Sequence, residues 1–183
     1  MKVLSFFINM IKLTKNREKI IIFLGDHPEE EFFGSEIASK LKISLGGVHG
    51  ALKFLVKEKL VDVLQKGNMK FYQIVDNNPF VRQFKSAVVT KKLLPVVDKI
   101  KNISHEIILF GSAARGEQTA ESDVDLFVLT DNVGGIEGAI KKDALKMKIN
   151  SVIKTPSQWS EMEIKDPEFY NEVKQGIKLF SNL

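Results

Sequence analysis

Two short polar clusters hold the side chains that are best suited to chemistry. Asp123 and Asp125 begin one apolar segment, and Gly111-Ser112 directly follows another, Ile107–Phe110. Two carboxylates on the same face of a strand can hold a divalent cation, and Mg²⁺ prefers such oxygens together with substrate phosphates. A glycine–serine turn offers free backbone N–H groups and a hydroxyl to an anion. The types and spacing of these residues indicate a site for a metal ion and a triphosphate.

Buried strands have to position these two clusters. Ile107–Phe110 is apolar throughout and is predicted to be the first strand, and Asp123–Leu129 is predicted to be the second. Beyond the Asp pair the second strand is apolar on both faces, which is typical of a central strand that is covered on both sides. A short helix, Ser112–Arg115, is predicted after the turn. Arg115 is a further phosphate contact in this interpretation, and a structural ion pair is its alternative.

Two motifs resemble the signature of the DNA polymerase β-like nucleotidyltransferase superfamily, and in particular its minimal nucleotidyltransferase branch. They are Gly111-Ser112-x-x-Arg115-Gly116 and Ser122-Asp123-x-Asp125-Leu126. The resemblance extends over residues 90–183 and implies a small α/β fold. It also implies that Mg²⁺ (or Mn²⁺) and a nucleoside triphosphate bind, and that a nucleoside monophosphate is transferred to an acceptor. Asp123 and Asp125 would be the catalytic metal ligands, and Gly111, Ser112 and Arg115 the nucleotide-binding residues.

The sequence departs from this family at the third acidic position. In the resembled family a strand equivalent to Lys148–Lys154 carries an acid that helps to hold the metal and accepts a proton. Asn150 occupies the matching position, and an amide cannot accept a proton at neutral pH. Glu161 or Glu163 could supply a carboxylate instead. The alternatives are slow catalysis and nucleotide binding without transfer.

The preceding residues predict a second, smaller domain. Three helices are predicted, at Asn16–Gly25, at Ser35–Leu41 and from Ser44 to about Glu58. Two alternating segments, Leu60–Gln65 and Lys70–Val75, predict a β-hairpin. Helix-turn-helix followed by a hairpin resembles the winged helix family. The predicted fold class is therefore α/β (α+β), with a winged helix-turn-helix at residues 1–78 and a linker helix and small mixed-sheet nucleotidyltransferase domain at residues 79–183.

The winged helix resemblance implies contacts with DNA through the third helix and the wing. The matching cationic or polar side chains are His49, Lys53, Lys66 and Lys70, and residues 40–70 hold seven lysines against two acidic residues. Three glycines, at positions 46, 47 and 50, leave little side chain to read base edges. Phosphate contact, weak DNA binding and protein contact such as dimerisation therefore stay open.

Composition limits the classes of protein to which the chain can belong. The chain has 183 residues, 44% of them hydrophobic, a net charge of +4 and no cysteine. The absence of cysteine excludes disulfides and thiolate zinc sites and fits a reducing cytoplasm. Val3–Leu13 is apolar but is interrupted by Asn9 and Lys12 and is too short to cross a bilayer. We expect it to form a helix that packs on its own protein or on a second copy, and we expect a homodimer and no membrane contact.

Four further helices are predicted. Pro95 should separate a linker helix, Phe80–Val89, from a helix near Lys91–Lys101. Ile136–Lys146 should be helical, with Ile136, Ile140 and Leu145 inward. Ser157 should cap a turn at Gln158–Met162. The chain should close with one helix, Pro167–Phe180.

Three functions are compatible with these features. The first is a Mg²⁺-dependent nucleotidyltransferase with an unknown acceptor. The second is a DNA-binding transcriptional regulator whose transferase fold only senses nucleotide. The third is an antitoxin-like transferase that acts on a partner protein, because antitoxins of the minimal nucleotidyltransferase type resemble the Gly111–Gly116 segment.

Overall fold

The structure is a computed structural model that describes residues 13–143 and 148–182. The chain divides into two compact units between Phe84 and Lys85, a few residues beyond the predicted boundary at 78/79. The two units have separate sheets, so the mixed α/β class expected from the sequence is confirmed. The predicted N-terminal helix lies outside the described residues except for Leu13, which is buried.

The first unit is a winged helix-turn-helix fold, as predicted. Its sheet is antiparallel throughout and has the order β1-β3-β2. The first strand was not predicted, because two residues are too few to show an alternating pattern. The elements in chain order are α1 (Lys15–Asp26), β1 (Phe32–Phe33), α2 (Gly34–Leu41), α3 (Leu45–Lys57), β2 (Val61–Lys66) and β3 (Met69–Ile74).

Two of the three predicted helix caps in this unit are wrong by two residues. Thr14 and not Asn16 precedes α1, because the helix already begins at Lys15. Phe33 and not Ser35 precedes α2, and its N–H donates to the Glu36 carboxylate at 2.7 Å. The third cap is confirmed, since the Ser44 hydroxyl accepts from the N–H of Gly47 at 3.2 Å.

Apolar side chains from all three helices and the sheet form the interior of the first unit. Burying them is the main force that holds α3 and the wing in place. Fully or almost fully buried are Ile20, Ile21, Leu24, Ile37, Val48, Leu52, Leu55, Val61 and Ile74.

The second unit contains a four-stranded mixed sheet with the order β6-β5-β4-β7. Strands β5 and β6 are parallel, and the other two pairs are antiparallel. The elements in chain order are α4 (Pro79–Ile100, which begins in the first unit), β4 (Glu106–Phe110), α5 (Gly111–Arg115), β5 (Val124–Leu129), α6 (Val133–Asp143), β6 (Ile149–Lys154), α7 (Pro156–Lys165), α8 (Pro167–Lys174) and β7 (Ile177–Ser181).

The prediction that Pro95 separates two helices is wrong, because α4 continues through it. A proline inside a helix removes one backbone hydrogen bond and costs about 3 kcal/mol. Pro95 itself is exposed, whereas Leu93, Val96, Val97 and Ile100 are buried against the sheet. Burial on both sides of the proline offsets the lost hydrogen bond.

The predicted closing helix is also wrong in its second half. Helix α8 ends at Lys174, and Ile177–Ser181 forms β7 along the edge of β4. Gly176 lies so close to β4 that an added Cβ would come within 3.0 Å of the Leu109 carbonyl oxygen. The helix that precedes α8 in the chain, α7, begins at Pro156 and has Thr155 as its cap. The predicted cap, Ser157, lies inside this helix.

Both faces of the sheet are covered, as predicted for its central strands. Val124, Leu126 and Val128 of β5 pack against α4 and α6, with Ile136 and Ile140 buried as expected. Phe127 and Leu129 pack on the other face against α7 and α8. The end of the predicted helix Ile136–Lys146, with Leu145, lies outside the described residues. No helix in the described ranges is long and apolar enough to span a membrane.

Candidate functional site

The turn between β4 and α5 is built around Gly111. Its φ of +68° is a left-handed conformation that side chains other than glycine rarely adopt. A Cβ at this position would lie within 3.0 Å of the Asp125 carboxylate. Glycine therefore allows the carboxylate to lie directly against the turn. The two polar clusters found in the sequence meet here.

Strand pairing brings the turn and the acids together. Phe110, the last residue of β4, lies opposite Asp125 in the antiparallel register. Asp125 is partly buried, and Asp123, just before β5, is exposed. The predicted strand began one residue too early, at Asp123. The structure thus places Gly111, Asp123 and Asp125 at one end of the two central strands.

Asn150 lies beside Asp125 on the neighbouring parallel strand. The Asn150 amide nitrogen donates to Asp125 Oδ1 at 2.8 Å. Among the side chains that the structure describes, no group of three histidine or acidic residues could hold a metal ion. Glu161, considered as a substitute acid, forms an ion pair with Lys165 at 2.7 Å, which lowers the pKa of Glu161.

Arg115 is already bound by two carboxylates. Its Nε donates to Glu117 at 2.8 Å and its Nη1 donates to Glu172 of α8 at 3.0 Å. Hydrogen bonds to Glu117, and next to Glu172, raise the pKa of Arg115. Sequence reasoning missed Glu172, because no local pattern links residues that are 57 positions apart. Phosphate contact by Arg115 stays a prediction, and phosphate would compete with these carboxylates.

Ser112 is partly buried and takes part in closing the turn. Its carbonyl oxygen accepts from the N–H of Glu117 at 2.9 Å. Its hydroxyl has no hydrogen-bond partner in the part of the chain that the structure describes. The hydroxyl is therefore available to a ligand at the turn.

The four predicted DNA contacts differ in their surroundings. Lys66 forms an ion pair with Glu31 and lies over the Phe71 ring at 5.1 Å. Lys53 and Lys70 form no ion pair with any described residue. His49 is exposed and packs beside Gly34, where a Cβ would lie 3.2 Å from its Nε2.

A shallow groove of about 490 Å³ lies in the first unit between α3 and the wing. It combines apolar side chains with two of the predicted DNA contacts, His49 and Lys70. Leu45 and Met69 are 47% and 52% exposed. The residues that line the groove are Phe33, Gly34, Ser35, Leu45, His49, Met69, Lys70 and Tyr72.

Several solved structures are similar to parts of the chain. ZitR of Lactococcus lactis is 27% identical, with a TM-score of 0.39, over 49% of this chain and 61% of its own. A possible transcriptional regulator from Methanosarcina mazei is 17% identical, with a TM-score of 0.41, over 56% of this chain and 88% of its own. The adhesin competence repressor AdcR of Streptococcus pyogenes is 20% identical, with a TM-score of 0.37, over 55% and 80%.

The comparison with protein families concerns the second unit. No curated protein matches the chain. The family model described as Polymerase beta, Nucleotidyltransferase matches residues 91–182, which is half of the chain. This range contains the turn, the Asp pair and Asn150. The chain therefore belongs to the polymerase beta nucleotidyltransferase family.

Proposed function

We propose that the second unit binds a complex of Mg²⁺ and a nucleoside triphosphate without efficient transfer, and that the winged helix binds DNA. The chain would then be a DNA-binding regulator that senses nucleotide. One observation carries this choice. Asn150, which donates to Asp125 at 2.8 Å, occupies the position where the resembled superfamily has its third acid. Its amide cannot accept the proton of an attacking hydroxyl.

The residues at the turn fit a divalent cation. Asp123 and Asp125 supply carboxylate oxygens, which Mg²⁺ and Mn²⁺ prefer. Mg²⁺ commonly uses one or two carboxylates and takes its other ligands from phosphates and water. A bound ion would supply the positive charge that allows phosphates to approach two carboxylates. The hydrogen bond from Asn150 keeps Asp125 oriented for this role.

The chain's own groups would hold the phosphates. Gly111 has no Cβ, so a phosphate oxygen can approach its backbone closely. The Ser112 hydroxyl, which has no hydrogen-bond partner among the described residues, supplies a donor beside it. Both residues begin the short helix α5, whose first N–H groups lack partners within the helix.

Binding and turnover have to be measured on the same proteins. We would measure binding of each Mg²⁺–NTP by calorimetry and release of pyrophosphate, for the wild type, Asp125→Asn and Asn150→Asp. We expect the wild type to bind and to release pyrophosphate no faster than Asp125→Asn. Asn150→Asp should keep the affinity within a few-fold and gain turnover, because it adds a proton acceptor. Absence of Mg²⁺–NTP binding to the wild type would contradict the proposal.

The second candidate is an active nucleotidyltransferase. The observation in its favour is that the turn and both aspartates meet at one sheet end, through the Phe110–Asp125 register. In that case the wild type would release pyrophosphate, and Asp125→Asn would abolish the release. Asn150→Asp would then change the rate little.

DNA binding is proposed to depend mainly on phosphate contacts of the winged helix. Lys53 and Lys70 have no ion-pair partner among the described residues, and α3 offers few side chains to base edges. Affinity falls as salt rises, and each phosphate contact adds about 0.9 to the steepness of the plot of log affinity against log salt concentration. Lys53→Gln and Lys70→Gln should each reduce this slope by about one, whereas Lys66→Gln should reduce it less because Glu31 already neutralises Lys66. Affinity that is independent of salt would exclude this mode of binding.

A further inference from the structure

Arg115 lies next to the proposed phosphate site. It ends α5, one helical turn after Gly111, and residues four positions apart lie on the same side of a helix. Its side chain is 53% exposed, so solvent and solutes can contact it. Guanidinium groups bind phosphate oxygens strongly because they offer several donors in a planar fork.

Two acidic residues already form hydrogen bonds with this guanidinium. Glu117 accepts from Nε at 2.8 Å and Glu172 accepts from Nη1 at 3.0 Å. The three side chains together carry one positive and two negative charges. A triphosphate that approaches the turn therefore meets a guanidinium that two carboxylates already bind, instead of a free cation.

We propose that Arg115, Glu117 and Glu172 form a latch that opposes triphosphate binding and opens when phosphate oxygens replace Glu172. The inference rests on the proposed function, because it assumes that the triphosphate binds at the Gly111 turn. It assigns Glu172, on a separate helix, a regulatory effect on that site. Arg115 then contributes to binding only after the exchange.

In this exchange, Glu172 is the carboxylate that dissociates from Arg115. Its side chain is 44% exposed, against 33% for Glu117. Glu117 is two residues from Arg115 in the chain, so it stays near the guanidinium whatever α8 does. The Nη2 group of Arg115 makes no hydrogen bond within residues 13–143 and 148–182. An incoming phosphate can bind this nitrogen before Glu172 leaves.

The test compares charge removal at Glu172 with the same change at a matched position. Glu172→Gln removes the proposed competitor, and Glu168→Gln removes one charge from the same helix at an exposed residue that forms no ion pair among the described residues. Arg115→Gln and the double variant Arg115→Gln/Glu172→Gln complete a double-mutant cycle. The probes are Mg²⁺–ATP and Mg²⁺–tripolyphosphate, both titrated by calorimetry with the full chain.

We expect Glu172→Gln to bind both probes roughly twofold to fivefold more tightly, the range for loss of an exposed ion pair. Glu168→Gln should leave both affinities unchanged. The gain from Glu172→Gln should disappear when Arg115 is replaced, because the released guanidinium causes it. A purely structural ion pair would not produce tighter binding.

Three other outcomes would overturn the latch. Equal gains in Glu172→Gln and Glu168→Gln would indicate a general effect of charge. Unchanged or weaker binding by Glu172→Gln, with a wild type that binds Mg²⁺–ATP, would refute the latch and leave the proposed function intact. If the wild type binds neither probe, the proposed function and the latch both fail.

Discussion

At the scale of single residues, Asp125 has a different partner on each of its two oxygens. Oδ1 accepts from Asn150, and Oδ2 lies against Gly111, where only a missing Cβ leaves room. Such contacts orient a carboxylate before any ligand arrives, which is how outer groups support metal ligands. The same two contacts couple Asp125 to the phosphate turn and to the position of the third acid.

Gly111→Ala should therefore damage the site in two ways. The new methyl group overlaps the Asp125 carboxylate, and the left-handed backbone costs about 1–2 kcal/mol for alanine. We expect affinity for Mg²⁺–NTP to fall about 10–100-fold, the usual effect of disturbing the support of a metal ligand. Calorimetry checks the affinity, and thermal unfolding checks the stability.

Gly138→Ala is the matched control for this change. Gly138 is exposed in α6, and a Cβ there meets nothing within 4 Å. Its substitution should leave nucleotide binding unchanged and should not lower stability. Wild-type affinity in Gly111→Ala would show that Asp125 does not depend on the shape of the turn.

At the scale of elements, α3 is unusual because its first half contains three glycines. Gly46 and Gly50 are exposed and have open space around them, whereas Gly47 lies against Ser44, Asn16 and Ile43. A glycine in a helix interior costs up to about 1 kcal/mol relative to alanine. Helix α3 is therefore held by the burial of Val48, Leu52 and Leu55 and by its Ser44 cap, more than by helix propensity.

Gly50→Ala should stabilise α3 by up to about 1 kcal/mol, because alanine raises helix propensity and meets no neighbour. Hydrogen exchange of α3 amides measures this locally, without interference from the second unit. Gly47→Ala should give little or no gain, since its Cβ would lie 3.0 Å from the Ser44 hydroxyl. Equal stabilisation by both substitutions would mean that the crowding at Gly47 has no cost.

At the scale of the whole molecule, two units with separate sheets share one chain. The first is a winged helix and the second belongs to the polymerase beta nucleotidyltransferase family. Helix α4 runs through the point where the chain divides. The proposed function assigns DNA to the first unit and nucleotide to the second.

Oligomeric state is predicted from the sequence of the first twelve residues. Eight of them are apolar, and a monomer that exposed them all would present an unusually large apolar patch. We expect a homodimer by light scattering and a monomer after deletion of residues 2–12. A dimer that survives the deletion would place the dimer contact elsewhere. A monomeric wild type would contradict the prediction.

The sequence by itself determined the parts whose signals are local. Each of these signals lies within a few consecutive residues, so it can be recognised directly in the sequence. They are the Gly-Ser and Asp-x-Asp motifs, the helical periodicity of α3 and the alternating pattern of the hairpin. Asn150 was identified through the resemblance to the nucleotidyltransferase superfamily, in which the matching position on this strand carries an acid. The local patterns predicted the fold class.

Only the tertiary structure decided features that depend on distant partners. Ile177–Ser181 fits an amphipathic helix by its own pattern, yet it forms a strand because β4 offers an unpaired edge. Helix α4 passes through Pro95 because the sheet buries residues on both sides of it. Arg115 meets Glu172 only after α5 and α8 pack near each other. Packing determines which of these distant residues meet, so a short stretch of sequence does not predict the pairs.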